Sequence, residues 1–188
     1  MQLSSDLSHH FELLRLIGHT YFGGADPQEV LQLASAVAPG DDEGWFVACD
    51  ALASRVRAAG DASQRNGHIR SASQSYLRAS MYYMFADFYL HANPRDPRIL
   101  ASNRASRECF MAAIPGLDYD IRRVEIPYED STLPGYVMQK KGTLAGPRPT
   151  MICHSGFDGT KEEVAIWPGM AAAQRGYTVI VFDGPTLH

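Results

Sequence analysis

The stretch TMICHSGFDGTKEEVAIWPGMAAAQRGYTVIVF, residues 150–182, decides the fold class. It begins and ends with short apolar runs, 150–153 and 178–182, which are typical of strands covered on both faces of a parallel sheet. Between them, residues 161–175 place apolar side chains at helical spacing, and Gly176 follows where a helix commonly ends. A strand, a helix and a strand in this order predict a parallel pair joined by a right-handed crossover.

The side chains of this helix divide into two groups. Because they recur at intervals of about one helical turn, four side chains are expected to face inward: Val164, Trp167, Met170 and Ala171. The charged residues 161–163 are expected to begin the helix in contact with solvent. The strand 178–182 is expected to be the outer one of the sheet, so that its far edge stays unpaired.

Two further strands precede this unit. Apolar and polar residues alternate over 124–128 and 133–138, which predicts half-buried strands. Residues 129–131 form a short turn between them, and such a turn joins antiparallel neighbours. We therefore predict an α/β fold in which an antiparallel hairpin is followed by one parallel strand–helix–strand unit.

Only helices are predicted before Pro115-Gly116. Asp26-Pro27 and Asp96-Pro97 each supply an N-cap carboxylate and a proline at the first helical position, so each predicts a helix start. Because helices precede this point and strands follow it, we predict two domains. The first is all-helical and covers residues 1–116, and the second contains the sheet and covers residues 117–188.

Two of the helical segments carry distinctive apolar stripes. The first, 10–22, is expected to bury one stripe of side chains, Phe11, Leu14, Ile17 and Tyr21. The fourth, 69–91, is apolar on two sides and is therefore expected to pack against neighbours on both.

Composition and charge exclude several classes of function. The 188 residues carry a net charge of −4, and their basic residues are scattered, so no basic face for nucleic acid or a membrane surface is predicted. No apolar run approaches the ~20 residues that cross a bilayer, and the first residues lack the pattern of a secretory signal. Cys49, Cys109 and Cys153 lie too far apart for a metal motif. Three such cysteines are typical of reduced thiols, which predicts a cytoplasmic protein. We predict no bound metal and no cofactor.

Several motifs resemble those of one enzyme family. They lie at 76–83, 93–98, 133–136, 154–163 and 182–185. They are similar to motifs of α/β-hydrolases that carry an N-terminal helical domain, the group that includes 2,6-dihydroxypseudooxynicotine hydrolase and the FrsA-like esterases. The segment 154–163 is the most specific, because it joins a buried strand to a helix start through a glycine-bearing loop.

The resemblance implies a reaction and part of a site. α/β-Hydrolases cleave ester or activated C–C bonds by acyl transfer, and they stabilise the oxyanion with a backbone N–H from the loop after the third strand. Here that loop is 154–160. Phe157 is the implied N–H donor, and Gly156 lets a ligand approach the backbone. Residues 161–163 recur in the family, so a supporting role at the site is the alternative to a solvated helix start.

The same resemblance implies contacts with the substrate. The helical domain covers the active site in this family, which implies a small acyl or aromatic substrate that contacts Tyr82, Tyr83 and Asp158. For the two tyrosines, packing within the core is the alternative interpretation.

The nucleophile motif of the family is missing from these residues. An α/β-hydrolase needs a serine in G-x-S-x-G, then an acid, then a histidine, and no G-x-S-x-G occurs here. Cys153, His154 and Asp158 do not replace this triad, since adjacent side chains of a strand point to opposite faces. Ser155 has no evident base. We therefore expect a C-terminally truncated chain that is inactive alone.

Two other interpretations stay open. The chain is, alternatively, a non-catalytic module that binds a small ligand or a partner subunit, or the product of a split gene that has no function of its own. The unpaired sheet edge also predicts self-association, so a homo-dimer is one expected state.

Overall fold

The computed structural model describes residues 2–143, 145–156 and 158–185. Its backbone contacts divide the chain into two compact units, Met1–Gly116 and Leu117–His188. The first unit is helical, and the second contains a four-stranded sheet. Among the helices in the described part of the chain, none is long and apolar enough to cross a membrane.

The described residues of the helical unit form five α-helices. They are α1 (Leu7–Gly18), α2 (Pro27–Ala36), α3 (Asp42–Arg65), α4 (Ile69–Ala86) and α5 (Pro97–Ala113). α4 packs against both α3 and α5, and most of its side chains are buried. This confirms that the fourth segment is covered on two sides. Its α-helix ends at Ala86, and a 3-10 turn, Phe88–Ala92, follows.

Capping carboxylates set the starts of α2 and α5. Asp26 accepts hydrogen bonds from the backbone N–H groups of Gln28 and Glu29, and Asp96 accepts one from the backbone N–H of Arg98. These N–H groups have no partner within the helix, so the carboxylates satisfy donors that would otherwise need water. Both predicted helix starts are confirmed.

α1 buries the face opposite to the one expected. Its buried residues are His9, Glu12, Leu13 and Leu16. Phe11 and Leu14 are exposed, and Tyr21 in the following turn is 81% exposed, whereas Ile17 is half-buried. The expectation was wrong because the helix carries two stripes with apolar residues. Contacts of the His9 ring with Trp45 and Tyr89, at centroid distances of 5.0 Å and 4.9 Å, accompany burial of the other stripe.

The second unit is a mixed sheet. Its strands are β1 (Tyr119–Tyr128), β2 (Ser131–Lys140), β3 (Thr150–His154) and β4 (Thr178–Phe182), in the order β1-β2-β4-β3. β2 pairs antiparallel with both β1 and β4, whereas β3 and β4 are parallel. This confirms the α/β architecture of an antiparallel hairpin followed by a parallel strand–helix–strand unit.

The strand order corrects two expectations about the sheet. β4 is not an outer strand, since it lies between β2 and β3, and β3 is at the edge instead. The side chains of β3 alternate between exposed and half-buried, and Ile152 is 67% exposed, so this strand is not covered on both faces. An apolar run predicts that a strand forms, but it does not predict which strands pair with it. The pairing of β4 with β2 depends on residues that are far apart in the sequence.

The helix predicted over 161–175 is interrupted. α6 (Lys161–Val164) and α7 (Met170–Gln174) flank a π-type turn, Ala165–Gly169, which contains a cis bond between Trp167 and Pro168. Trp167 has extended dihedral angles and is 59% exposed, so its expected inward position was wrong. Pro168 lacks the backbone N–H that a regular helix needs. Gly176 has a φ of 89°, which confirms it as the residue after the helix.

Candidate functional site

The carboxyl ends of β3 and β4 lie side by side. His154 and Phe182, the last residues of the two strands, are paired. Ser155 then donates its backbone N–H to the carbonyl oxygen of Phe182 at 3.4 Å, and the turn 155–160 leads to α6. Ligands of open α/β sheets commonly bind outside the carboxyl ends of the parallel strands. This edge is therefore the candidate site.

Asp183, directly after β4, organises this edge. Its Oδ1 accepts the backbone N–H of Lys161 at 2.6 Å, and its Oδ2 accepts the Lys161 ammonium at 2.7 Å. The Ser155 hydroxyl donates to Oδ1 at 3.3 Å. One carboxylate therefore joins the turn after β3, the first residue of α6 and the end of β4.

A second carboxylate shares the same lysine. Glu162 Oε1 lies 3.2 Å from Lys161 Nζ and accepts the hydroxyl of Tyr136, on β2, at 2.7 Å. Lys161 and Glu162 are only 4% and 3% exposed, and Glu163 is buried too. The expectation that residues 161–163 begin the helix in solvent was wrong, because Lys161 is compensated by Asp183 and Glu162 inside the protein.

Burial raises the pKa of two side chains near this edge. Desolvation raises the pKa of Asp183 above its ordinary value of 3.8, against the opposing attraction of Lys161, because loss of water disfavours the charged form. Desolvation also raises the pKa of the Cys153 thiol. This disfavours the thiolate, which is the nucleophilic form of cysteine.

The turn that the sequence predicts to hold the oxyanion is described in part. Phe157, the implied N–H donor, lies outside the described residues. Gly156 and Asp158 are exposed in this turn, and a Cβ built on Gly156 would meet no heavy atom within 4 Å. The structure thus brings these two predicted site residues to the same edge as Asp183 and Lys161.

The two predicted tyrosine contacts lie in α4, within the helical unit. The buried Tyr82 hydroxyl donates to Glu29 Oε2 at 2.6 Å and accepts the backbone N–H of Asp26 at 2.9 Å. The hydroxyl oxygens of Tyr83 and Ser54 are 3.0 Å apart. Both tyrosine hydroxyls are engaged inside their own unit, and their contact with a substrate stays a prediction.

The described residues around the turn include no nucleophile bonded to a histidine. The Ser155 hydroxyl bonds to Asp183, while His154 Nδ1 lies 2.7 Å from the carbonyl oxygen of Ser155. Cys153 precedes His154 on β3 and is half-buried. Throughout the described ranges, no group of three His, Cys, Asp or Glu side chains is placed to hold a metal ion.

Asp183 and Tyr136 lie within motifs that resemble the family, but sequence reasoning assigns neither of them a role at the site. Asp183 does carry a signal, because it directly follows a buried strand, where polar side chains reach the ligand edge of an α/β sheet. Nothing in the sequence indicates the contact of Tyr136 with Glu162. The tyrosine reaches Glu162 because β2 pairs with β4, which sets Tyr136 opposite Val181.

Known hydrolases are similar in sequence to this chain over nearly all its length. Hydrolase LUC6 from a Fusarium species is 39% identical over 179 residues, which cover 94% of this chain and 43% of the relative. The 20-hydroxy-prefusarin hydrolase FUS2 from Gibberella moniliformis is 37% identical over 179 residues, with coverage of 94% and 43%. No family model matches the chain.

A solved structure shares its fold. The crystal structure of 2,6-dihydroxy-pseudo-oxynicotine hydrolase matches with a TM-score of 0.70 and 24% identity, covering 89% of this chain and 45% of that one. The chain thus spans less than half the length of the proteins that it matches. By sequence the chain is a homologue of these hydrolases and of the alpha/beta hydrolase xenA from Xenoacremonium sinensis, which is 32% identical over 178 residues that cover 93% of this chain and 41% of the relative.

Proposed function

We propose that this chain supplies the oxyanion turn and the helical domain of an α/β-hydrolase that cleaves an ester or an activated C–C bond by acyl transfer. The observation that carries the proposal is the attachment of the turn after β3 to the end of β4 through Asp183 and Lys161. Backbone N–H groups held in this way are preorganised for the charge that develops on a carbonyl oxygen. Phe157 is the proposed donor, and Gly156 leaves room for the carbonyl.

The proposed substrate is a small acyl or aromatic molecule. One relative is named a 20-hydroxy-prefusarin hydrolase and the solved neighbour a 2,6-dihydroxy-pseudo-oxynicotine hydrolase, and both names specify a small organic molecule. Asp158, in the turn, is the proposed polar contact. Contacts from Tyr82 and Tyr83 would require their hydroxyls to exchange Glu29 and Ser54 for atoms of the ligand.

The nucleophile is proposed to come from polypeptide outside these 188 residues, because they contain no G-x-S-x-G. An oxyanion turn stabilises a charge that only an attacking group creates. The chain by itself is therefore proposed to be inactive toward esters.

Reconstitution tests the proposed function. The purified chain is assayed with p-nitrophenyl acetate and butyrate. It is then co-expressed with the part of the Fusarium relative that the match does not cover, and the resulting complex, here called the complemented assembly, is assayed in the same way. We expect turnover only from the complemented assembly. Turnover by the chain alone that disappears in Ser155→Ala or Cys153→Ala would overturn the proposal. A co-purified but inactive assembly would favour the alternative of a non-catalytic module that binds a small ligand or a partner.

We further propose a cytoplasmic location and a homo-dimer. The three cysteines are free thiols, as is usual in reducing compartments. β3 is an edge strand of the described sheet and carries the exposed Ile152, and such edges pair with other chains. Light scattering of the purified chain measures its assembly, and a monomer at micromolar concentration would contradict the dimer.

A further inference from the structure

We infer that Lys161 is a positioning residue whose ammonium ties the turn after β3 to the end of β4 and so holds Ser155 and Gly156 in place. The inference rests on the proposed function only in taking this turn to be the oxyanion turn. The contacts that carry it lie within the sheet unit. They can be tested without any substrate.

The ammonium is buried between two carboxylates. Its Nζ lies 2.7 Å from Asp183 Oδ2 and 3.2 Å from Glu162 Oε1, and all three side chains are at most 5% exposed. The same Nζ lies 5.8 Å from the centre of the Tyr136 ring, so an aromatic face covers it on another side. Within the described residues, Lys161 is the only cation paired with either carboxylate.

This arrangement makes the ammonium decisive for the turn. Without it, Asp183 and Glu162 would keep only neutral donors: the Lys161 backbone N–H and the hydroxyls of Ser155 and Tyr136. Removing one partner from a buried ion pair is strongly destabilising, because the remaining charge stays without compensation. The loss falls first on the residues that Asp183 holds directly. These are Ser155, through its hydroxyl, and the first residue of α6, through its backbone N–H.

Hydrogen exchange of the 188-residue chain, followed by mass spectrometry, tests the inference. The variants are Lys161→Met, which keeps the length but removes the charge, and Lys161→Arg, which keeps the charge. Lys140→Met is the matched control, since Lys140 is an exposed lysine at the end of β2 in the same unit.

We expect Lys161→Met to speed exchange of the amides of 155–163 by at least about tenfold. Exchange in α4 and in the β1–β2 hairpin should stay unchanged. Lys161→Arg should restore most of the protection, and Lys140→Met should behave as the parent. Rescue by arginine distinguishes a positioning charge from a side chain that only fills space.

Three results would overturn the inference. The first is parental exchange of 155–163 in Lys161→Met, and the second is failure of arginine to restore protection. The third is equal loss of protection in β1 and β2, because the ammonium would then support the whole sheet instead of the turn. Asp183→Asn gives a second check. A neutral amide leaves the ammonium without its nearest carboxylate, so this variant should also speed hydrogen exchange of the amides of 155–163.

The complemented assembly separates this inference from the proposed function. If Lys161→Met loosens the turn but ester turnover by the assembly is unchanged, the positioning role holds and the proposed role of the turn in catalysis is wrong. If the turn does not loosen, the positioning role fails whatever the turnover.

Discussion

Replacing Tyr82 by phenylalanine tests how the helical unit is held together. The ring stays buried in either case, and only the hydroxyl is removed. That hydroxyl donates to Glu29 Oε2 at 2.6 Å and accepts the backbone N–H of Asp26 at 2.9 Å. A hydrogen bond to a charged group contributes about 1.5–3 kcal/mol and one between neutral groups about 1 kcal/mol. Glu29 keeps its ion pair with Arg78 at 3.0 Å, so no carboxylate is left without a partner.

We therefore expect Tyr82→Phe to lower the free energy of unfolding by about 3 kcal/mol. Urea unfolding of the purified chain, followed by circular dichroism of the helices, measures this change. Tyr21→Phe is the matched control, because Tyr21 is 81% exposed, and its effect should stay below about 0.5 kcal/mol. A loss below about 1 kcal/mol in Tyr82→Phe would show that the two hydrogen bonds contribute little to folding, and the Tyr82 hydroxyl could then bind a ligand at little cost to the fold.

Three further changes have expected outcomes. Gly156→Ala should leave Tm within about 1 °C of the parent, because the added Cβ would meet no heavy atom within 4 Å. The same methyl group should obstruct the carbonyl of the substrate and so lower ester turnover by the complemented assembly. Gly135→Ala should cost about 1–3 kcal/mol in urea unfolding, because its Cβ would lie 2.7 Å from the carbonyl oxygen of Val181. Between pH 3.8 and the raised pKa of Asp183, the folded state holds a proton on this carboxyl that the unfolded state has released. The Asp183 contribution to stability therefore falls as pH rises from 3.8 to the raised value, and Asp183→Asn should remove that slope from a titration of unfolding free energy.

Each of these three has a result that would contradict it. A large fall in Tm for Gly156→Ala would show that folding, and not ligand approach, requires the glycine. Parental stability of Gly135→Ala would mean that the strands can separate at no cost. An unchanged slope in Asp183→Asn would place the titrating group elsewhere in the protein.

The sequence predicts the elements whose cause is local. Asp26 and Asp96 start helices because each carboxylate meets N–H groups two or three residues away. Trp167 shows a limit of helical spacing as a predictor. Its spacing from Val164 and Met170 predicts an inward side chain, but Pro168 follows it and the regular helix is interrupted there.

The parts that sequence reasoning misses depend on distant partners. Lys161 belongs to a residue type that is almost never fully buried without a partner, and its partner Asp183 lies 22 positions further along the chain. The edge position of β3 likewise depends on the pairing of β4 with β2. The turn could be located from the strand–helix junction, whereas the ion pairs that hold it required three-dimensional contacts.

Ester turnover by the complemented assembly with substitutions at Phe157 tests whether the turn after β3 binds the oxyanion. Phe157→Pro removes the backbone N–H that is the proposed oxyanion donor, whereas Phe157→Ala keeps it. Loss of one such donor lowers kcat by about 10²–10³-fold. We expect a loss of that size in Phe157→Pro and a loss below about tenfold in Phe157→Ala. Equal turnover by the two variants, or turnover by Phe157→Pro at the parental rate, would contradict the assignment of this turn as the oxyanion site.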